Sequence, residues 1–288
     1  MGNLLLVWAR AVVFAHLNNL PLVTSYWWGF RWGAWKRNER RKRLYYGYFK
    51  ESSFHSLLKM GIYKWIFPVV SEPPIVKLAP QQLLGNQVFI FHQVAVNHDL
   101  FGPLRHHRSL LTNRIYELLS PALLLQANQF EAPVIAVHIR RGDFKLGNPI
   151  TPLSFFIDCI KQIRDATAEQ WMVTIFTDAA PEEVAEVMAL PGTTLAVVKP
   201  DILDILLMSK SRVMVLSQSS TFGYWAAFLS EAIVIRPATD WQQIIKTTDS
   251  AGRYDEVRLD LTNTAFCPVL KKKIAALKVS PNNSRCTD

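Results

Sequence analysis

The hydrophobic pattern is regular only in the second half of this 288-residue chain. From residue 132 onward, apolar runs of strand length alternate with segments that have helical periodicity. The runs that predict strands are 134–139, 171–176, 194–198, 212–216 and 232–235, and the segments that predict helices are 152–165, 181–190, 201–209 and 220–230. The strands are apolar on both faces, as in sheets that helices cover on both sides. The pattern therefore predicts an α/β fold with a doubly wound parallel sheet.

The first half, to about residue 130, is irregular, aromatic and basic. Its pattern predicts helices at 4–17 and 113–126 and strands at 20–24 and 88–92. A tryptophan-rich stretch lies between residues 27 and 35. Its rings could form core, or they could stack on the C–H faces of an acceptor sugar. The change in pattern predicts two domains, 1–130 and 131–288, which is comfortable for a chain of this length.

Composition and charge narrow the class of partner. Half of the residues are hydrophobic and 19% are charged, which excludes a disordered protein. The net charge of +9 favours anionic partners. Much of it lies in the basic run 36–43, which is either a solvated face or a patch facing a membrane or an anionic acceptor. No nucleic-acid recognition motif accompanies the charge, so we expect no nucleic-acid partner.

The chain carries few signals of export or of membrane insertion. Residues 4–23 are apolar, but Arg10 and Asn18 interrupt them and would be costly in lipid. Three cysteines without C-x-x-C spacing predict neither a disulfide framework nor a zinc site. We therefore expect a cytoplasmic protein without a transmembrane helix, in peripheral contact with the inner face of a membrane if segment 36–43 faces lipid.

The candidate chemistry is concentrated after the first strand of the second half. There, His138 and Arg140 alternate with Ile139, and Arg141, Gly142 and Asp143 follow. Ligands of open α/β sheets bind outside the carboxyl ends of the strands. Guanidinium groups match phosphate oxygens bidentately, so this segment predicts a diphosphate clamp. The alternative is a surface ion-pair cluster in which Arg140 or Arg141 pairs with Asp143.

Three further polar groups follow later strands. Asp178 comes after the second strand and either caps the next helix or orients Arg140. The hydroxyl-rich segment 217–221 leads into a helix, where Ser219 or Ser220 could cap the helix, bind an anion, or do both. Asp204 lies sixteen residues before Ser220, and a carboxylate suits the N1–H and N2–H₂ edge of guanine.

Taken together, these segments resemble the fucosyltransferase superfamily, and especially its α-1,2-fucosyltransferase branch (glycosyltransferase family 11). The segment VHIRRGDF at 137–144 is similar to the central motif of the superfamily. The segments DILLMS at 204–209 and SSTFGYWAA at 219–227 resemble its later donor motif, with similar spacing between aspartate and serine. In the first half, YGYFKES at 46–52 and MGN at 1–3 resemble further segments of the branch, so the similarity runs along nearly the whole chain.

The resemblance implies a GT-B architecture of two Rossmann-like domains, with the donor held mainly by the C-terminal one. It implies GDP-β-L-fucose as donor substrate, a glycan such as a galactoside as acceptor, inversion at the anomeric carbon, and no required metal or other cofactor. The predicted catalytic residues are Arg140, Asp143 and His138, with Asp143 as base or as the group that orients Arg140. The predicted donor-binding residues are His138, Arg140, Arg141, Asp204, Ser219, Ser220, Thr221, Gly2 and Asn3.

The chain also departs from the pattern of this family. In the family a strand precedes the glycine motif that Gly2 resembles, so we expect the N-terminal domain to lack that strand. Asn3-Leu4 stands where the family has Asn-Gln, and Gly223-Tyr224 stands where it has Ser-Trp. Two alternatives therefore stay open. One is a catalytically degenerate homologue that binds a nucleotide-sugar or a glycan, and the other is a basic membrane- or nucleic-acid-binding protein that keeps the fold.

Overall fold

A computed structural model describes residues 1–24, 27, 45, 47–50, 54–83, 85–94, 99–142, 150–197, 199–242, 244–247 and 253–277. The helices are α1 (Gly2–Asn18), α2 (Phe54–Ile66), α3 (Arg108–Leu118), α4 (Pro121–Gln129), α5 (Leu153–Thr167), α6 (Ala185–Met188), α7 (Asp201–Ser209), α8 (Thr221–Leu229) and α9 (Pro268–Ala276). The strands are β1 (Val69–Ser71), β2 (Val88–Ile90), β3 (Ile135–Ile139), β4 (Val173–Thr177), β5 (Thr193–Leu195), β6 (Val213–Leu216), β7 (Ile233–Pro237) and β8 (Asp255–Leu259). Short 3₁₀ helices occupy Pro80–Leu83, Gly102–His107 and Pro181–Val184.

The second half forms a six-stranded sheet in the order β5-β4-β3-β6-β7-β8, and all of its neighbouring strands are parallel. This is the strand order of a dinucleotide-binding Rossmann fold. The predicted α/β class and the doubly wound parallel sheet of the second half are confirmed. In the first half, the described residues contain a two-stranded parallel sheet of β1 and β2.

Each face of the large sheet has its own apolar core. Ile135, Val137 and Ile139 point to the face that α5, α6 and α9 cover. Ala136 and the other face contact α7 and α8, and here the core continues into α1, α3 and α4 of the first half. Successive side chains of a strand point to opposite faces, so a parallel strand between two helical layers must be apolar throughout.

Several predicted elements differ from the structure. Residues 20–24 form no strand, and the predicted helix 113–126 is two helices, α3 and α4, since Pro121 begins a new helix behind the N-cap Ser120. Segment 181–190 is a 3₁₀ turn followed by the short α6. The pattern also missed α2, β1 and β8. No helix in the described part of the chain is both long and apolar enough to cross a membrane.

Candidate functional site

The candidate site lies where the strand order of the sheet reverses, between the neighbours β3 and β6. The chain continues from β3 toward β4 on one side and from β6 toward β7 on the other, which opens a crevice at the carboxyl ends. The backbone N–H of Arg140 donates to Ser217 Oγ at 2.9 Å, and Ser217 Oγ donates to the carbonyl of His138 at 3.1 Å. The structure therefore joins the two predicted polar segments, 138–142 and 217–221, at one point.

Arg140 pairs with the aspartate at the end of β4. Its Nη1 lies 2.6 Å from Asp178 Oδ2, and the backbone N–H of Arg141 donates to Asp178 Oδ1 at 2.8 Å. Asp178 does not cap the next helix. Glu183 makes that contact instead, because it accepts from the N–H of Ala180 at 3.0 Å. Asp178 thus orients the arginine segment.

A side chain at position 142 would collide with this ion pair. A Cβ at Gly142 would lie 2.2 Å from Asp178 Oδ2, far inside van der Waals contact. Any larger residue would displace the carboxylate that holds Arg140, whose side chain is 19% exposed. The absence of a side chain at Gly142 therefore keeps Arg140 oriented toward the crevice.

Arg141 has a different role from its neighbour. Its side chain is buried and its Nη1 donates to the carbonyl of Thr151 at 2.8 Å. Thr151 Oγ1 in turn accepts from the N–H of Gln218 at 3.1 Å. Burial lowers the pKa of Arg141, although Glu183 and Asp178 oppose the shift. Arg141 ties the two loops of the crevice together, and Arg140 is the more exposed of the two cations.

His138 is a buried neutral imidazole facing the first turn of α8. Its ring stacks on Phe222, with centroids 5.4 Å apart, and a Cβ at Gly223 would lie 3.1 Å from its Nδ1. Burial, reinforced by the charge of Arg140, lowers the pKa of His138 to about 3. Within the described residues its Nδ1 has no hydrogen-bond partner. A buried polar atom of this kind is a natural place for a ligand contact.

The loop between β6 and α8 is held in an unusual conformation. Ser219 has φ of +57°, a left-handed conformation that serine rarely adopts. Asp240 Oδ1 accepts from the N–H of Ser219 at 3.1 Å and also from the hydroxyl of Tyr224. Ser220 is the N-cap residue and its side chain makes no capping bond. The first N–H groups of α8 therefore face the crevice end of the sheet without an intrahelical acceptor.

Asp240 belongs to a buried charged network that the sequence pattern did not reveal. Arg236 Nη1 lies 3.0 Å from Asp240 Oδ2, and Arg236 Nε donates to Glu256 Oε1 at 2.9 Å. Burial lowers the pKa of Arg236, but Glu256 and Asp240 outweigh this and raise it. The available signal was Arg236 itself, an arginine that follows the apolar run 232–235 and lies inside β7.

The N-terminus of α1 meets the N-terminus of α8. Thr221 Oγ1 donates to Asn3 Oδ1 at 2.7 Å, and Trp225 Nε1 donates to the carbonyl of Gly2 at 3.0 Å. A Cβ at Gly2 would lie 2.7 Å from the backbone carbonyl carbon of Thr221, so only glycine allows this approach. Two helix N-termini, each with partial positive charge, therefore converge beside Ser220.

Asp204 lies at the start of α7 and is buried, not an exposed helix aspartate. Its Oδ1 is 3.0 Å from Lys199 Nζ, and both side chains are almost fully enclosed. The ammonium group lies over the rings of Phe130 and Phe176, at 5.1 and 5.3 Å. Phe176 is the β4 partner of His138 in the sheet register, which places this ion pair on the His138 face. The pattern did not single out Lys199.

Three predicted features lie outside the described residues: Asp143, the predicted base; the basic segment 36–43; and the tryptophan-rich stretch, except for Trp27, which is buried. The site that can be described combines a partly exposed arginine, a neutral histidine and two helix N-termini at a sheet crevice. These are hydrogen-bond donors and positive charge, with Asp178 as the partner of Arg140, and such an arrangement suits phosphate oxygens.

Comparison with known proteins gives remote similarities to solved structures. No protein-family model and no curated protein matches the chain. Among solved structures it is similar to fucosyltransferase NodZ from Bradyrhizobium, at 14% identity and a TM-score of 0.48, over 80% of this chain and 89% of that one. NodZ α-1,6-fucosyltransferase soaked with GDP-fucose matches at 16% identity and a TM-score of 0.36, and the same enzyme co-crystallised with GDP at 17% and 0.37. In the last two matches the similarity covers 54% of this chain and 55% of the solved one, so the chain spans about half the length of those structures.

Proposed function

We propose that this protein is an inverting glycosyltransferase of the fucosyltransferase superfamily that transfers L-fucose from GDP-β-L-fucose to a glycan. The observation that carries the proposal is the meeting of Arg140, His138 and the N-terminus of α8 at the switch point of a Rossmann-type sheet. This is where an α/β sheet binds nucleotides, and the groups present are those that bind a diphosphate.

In the proposed reaction, the oxygen of an acceptor hydroxyl forms a bond to the anomeric carbon while the bond from that carbon to the diphosphate oxygen breaks, and GDP leaves as an anion. The developing negative charge needs positive charge near the bridging oxygen. Arg140, held by Asp178, supplies a full charge, and the first turns of α1 and α8 supply partial charges. His138, neutral and buried, offers Nδ1 for a hydrogen bond to phosphate. Asp143 would take the proton of the acceptor hydroxyl or help to orient Arg140.

The guanine base is assigned to Asp204. A carboxylate accepts from N1–H and N2–H₂ of guanine, and the spacing of Asp204 and Ser220 resembles that of the family. The ion pair with Lys199 gives this buried carboxylate a cationic partner, as buried charges require. The α-1,2 branch resemblance makes a galactoside the first acceptor to test.

Titration calorimetry with GDP, GDP-fucose, GDP-mannose and UDP tests the donor site. We expect the guanine nucleotides to bind and UDP to bind at least tenfold more weakly, which is the effect of losing about one good base contact. Arg140→Ala should weaken GDP binding by about 10- to 100-fold, the worth of a charge-assisted hydrogen bond. Arg114→Ala is the matched control, because Arg114 is a surface arginine paired only to Glu117 on its own helix among the described ion pairs.

Equal binding of all four nucleotides, or unchanged binding in Arg140→Ala, would overturn the proposal. Transfer is tested separately by measuring GDP release from GDP-fucose with and without a galactoside acceptor. Acceptor-dependent release supports the fucosyltransferase. If the protein binds GDP tightly but releases no GDP from GDP-fucose with any acceptor, it is the catalytically degenerate homologue.

A further inference from the structure

Helix α2 carries large apolar side chains that are exposed to solvent. Trp65 is 88% exposed, and Leu58, Ile62 and Ile66 are each at least 50% exposed. At roughly 100° per residue, these four side chains fall within an arc of about 100° on one side of the helix. We call this surface the α2 face. A helix of a globular protein usually buries such a stripe, so we expect the α2 face to bind a partner.

The charges around the α2 face have one sign. Lys59 and Lys64 are both exposed on the helix, and Lys59 borders the apolar arc next to Ile66. The sequence contains no acidic residue between Glu51 and Glu72, so nothing within α2 offsets these lysines. The whole chain has a net charge of +9. A partner that complements the α2 face therefore has an anionic surface with an apolar layer below that surface.

We propose that the α2 face binds an anionic phospholipid surface and holds the protein at a membrane. The 13-residue helix is roughly 20 Å long, too short to span a hydrocarbon core of about 30 Å, so it lies in the interface plane. Trp65, Leu58 and Ile62 enter the acyl boundary, where tryptophan is favoured, and Lys59 at the edge of the apolar arc contacts the headgroups. This inference is independent of the proposed transfer reaction.

Vesicle co-sedimentation of the full chain tests the proposal. We expect binding to phosphatidylcholine vesicles that contain phosphatidylserine, weaker binding to phosphatidylcholine alone, and a decrease with added salt. Trp65→Ser with Leu58→Ser should reduce partitioning by about tenfold or more, because most of the buried apolar area is lost. Leu125→Ser is the matched control, since Leu125 is a similarly exposed leucine on α4, and it should bind as the unmodified protein does.

Circular dichroism and GDP titration of the same variants check that the fold is retained. The α2 proposal fails if the unmodified protein does not bind anionic vesicles, or if Trp65→Ser with Leu58→Ser binds them equally well. Equal binding by the double variant would mean that another basic surface of the protein binds the membrane. A dimer that the double variant converts to monomer, with no vesicle binding, would replace the lipid by a second copy and also overturn the proposal.

Discussion

Asp240 offers the sharpest test of how the crevice is built. Its carboxylate lies at the centre of three interactions: the N–H of Ser219, the hydroxyl of Tyr224 and the guanidinium of Arg236. Burial first, and then Asp240, raise the pKa of Tyr224, so the hydroxyl stays protonated and donates to the carboxylate. Asp240→Asn keeps the size of the side chain and one acceptor oxygen but removes the charge beside Arg236.

The expected cost follows from burial. The side chains of Asp240 and Arg236 are fully enclosed, and removing one member of a buried pair costs about 3–5 kcal/mol. Glu256 still contacts Arg236, so we expect the lower end, about 3 kcal/mol. A protein with a typical stability of about 5–15 kcal/mol remains folded. Ser219, with its left-handed backbone, loses its charged acceptor, and GDP affinity should fall by about tenfold, or about 1.4 kcal/mol.

Urea denaturation and GDP calorimetry measure the two effects in parallel. Tyr224→Phe is the matched control, because it removes one hydrogen bond to Asp240 and leaves the charge pair in place. It should cost only about 1 kcal/mol of unfolding free energy. If Asp240→Asn costs no more than Tyr224→Phe and binds GDP normally, the buried charge neither stabilises the fold nor positions the loop.

Three further predictions concern His138, Gly142 and Lys199. The pKa of His138 is about 3 in the folded protein and 6.5 in the unfolded chain, so unfolding takes up a proton below pH 6.5. The free energy of unfolding, measured by urea titration, should therefore fall by about 2 kcal/mol between pH 6.5 and 5, and it should fall less in His138→Gln. Gly142→Ala should displace Asp178 and weaken GDP binding about tenfold in calorimetry, while the midpoint of thermal unfolding changes little. Lys199→Met should cost about 3 kcal/mol by leaving Asp204 without its cation, and a second change, Asp204→Leu, should restore most of that loss in urea denaturation.

Local pattern was sufficient for most of the second half. Runs of apolar residues located β3, β4, β6 and β7 within two residues, because strands buried on both faces are apolar throughout. The edge strand β8 was missed since its residues are largely polar and only partly buried. Segment 20–24 looks like a strand in sequence but forms none, and an apolar run alone does not determine a strand.

The candidate site divides in the same way. The segments at 138–142 and 217–221 could be found from polar residues that follow apolar strands, and the topology of parallel sheets implies that they share an edge. Their individual roles could not be found this way. The residue pattern left Asp178 undecided between a cap and a partner of Arg140, and it did not show that the side chain of Arg141 would be buried.

These roles depend on contacts between residues that are distant in the chain. Arg140 meets Asp178 and Ser217 only after β3, β4 and β6 are aligned, and Gly2 reaches Thr221 only when α1 packs on α8. Periodicity reports which face of an element is buried, because burial acts on each residue locally. Partner choice in a buried network is set by packing across the whole fold, where each charge must find its counterpart. Here the amino-acid pattern predicted an anion site after β3 and β6, and the packing of the fold determined which side chains lie together there.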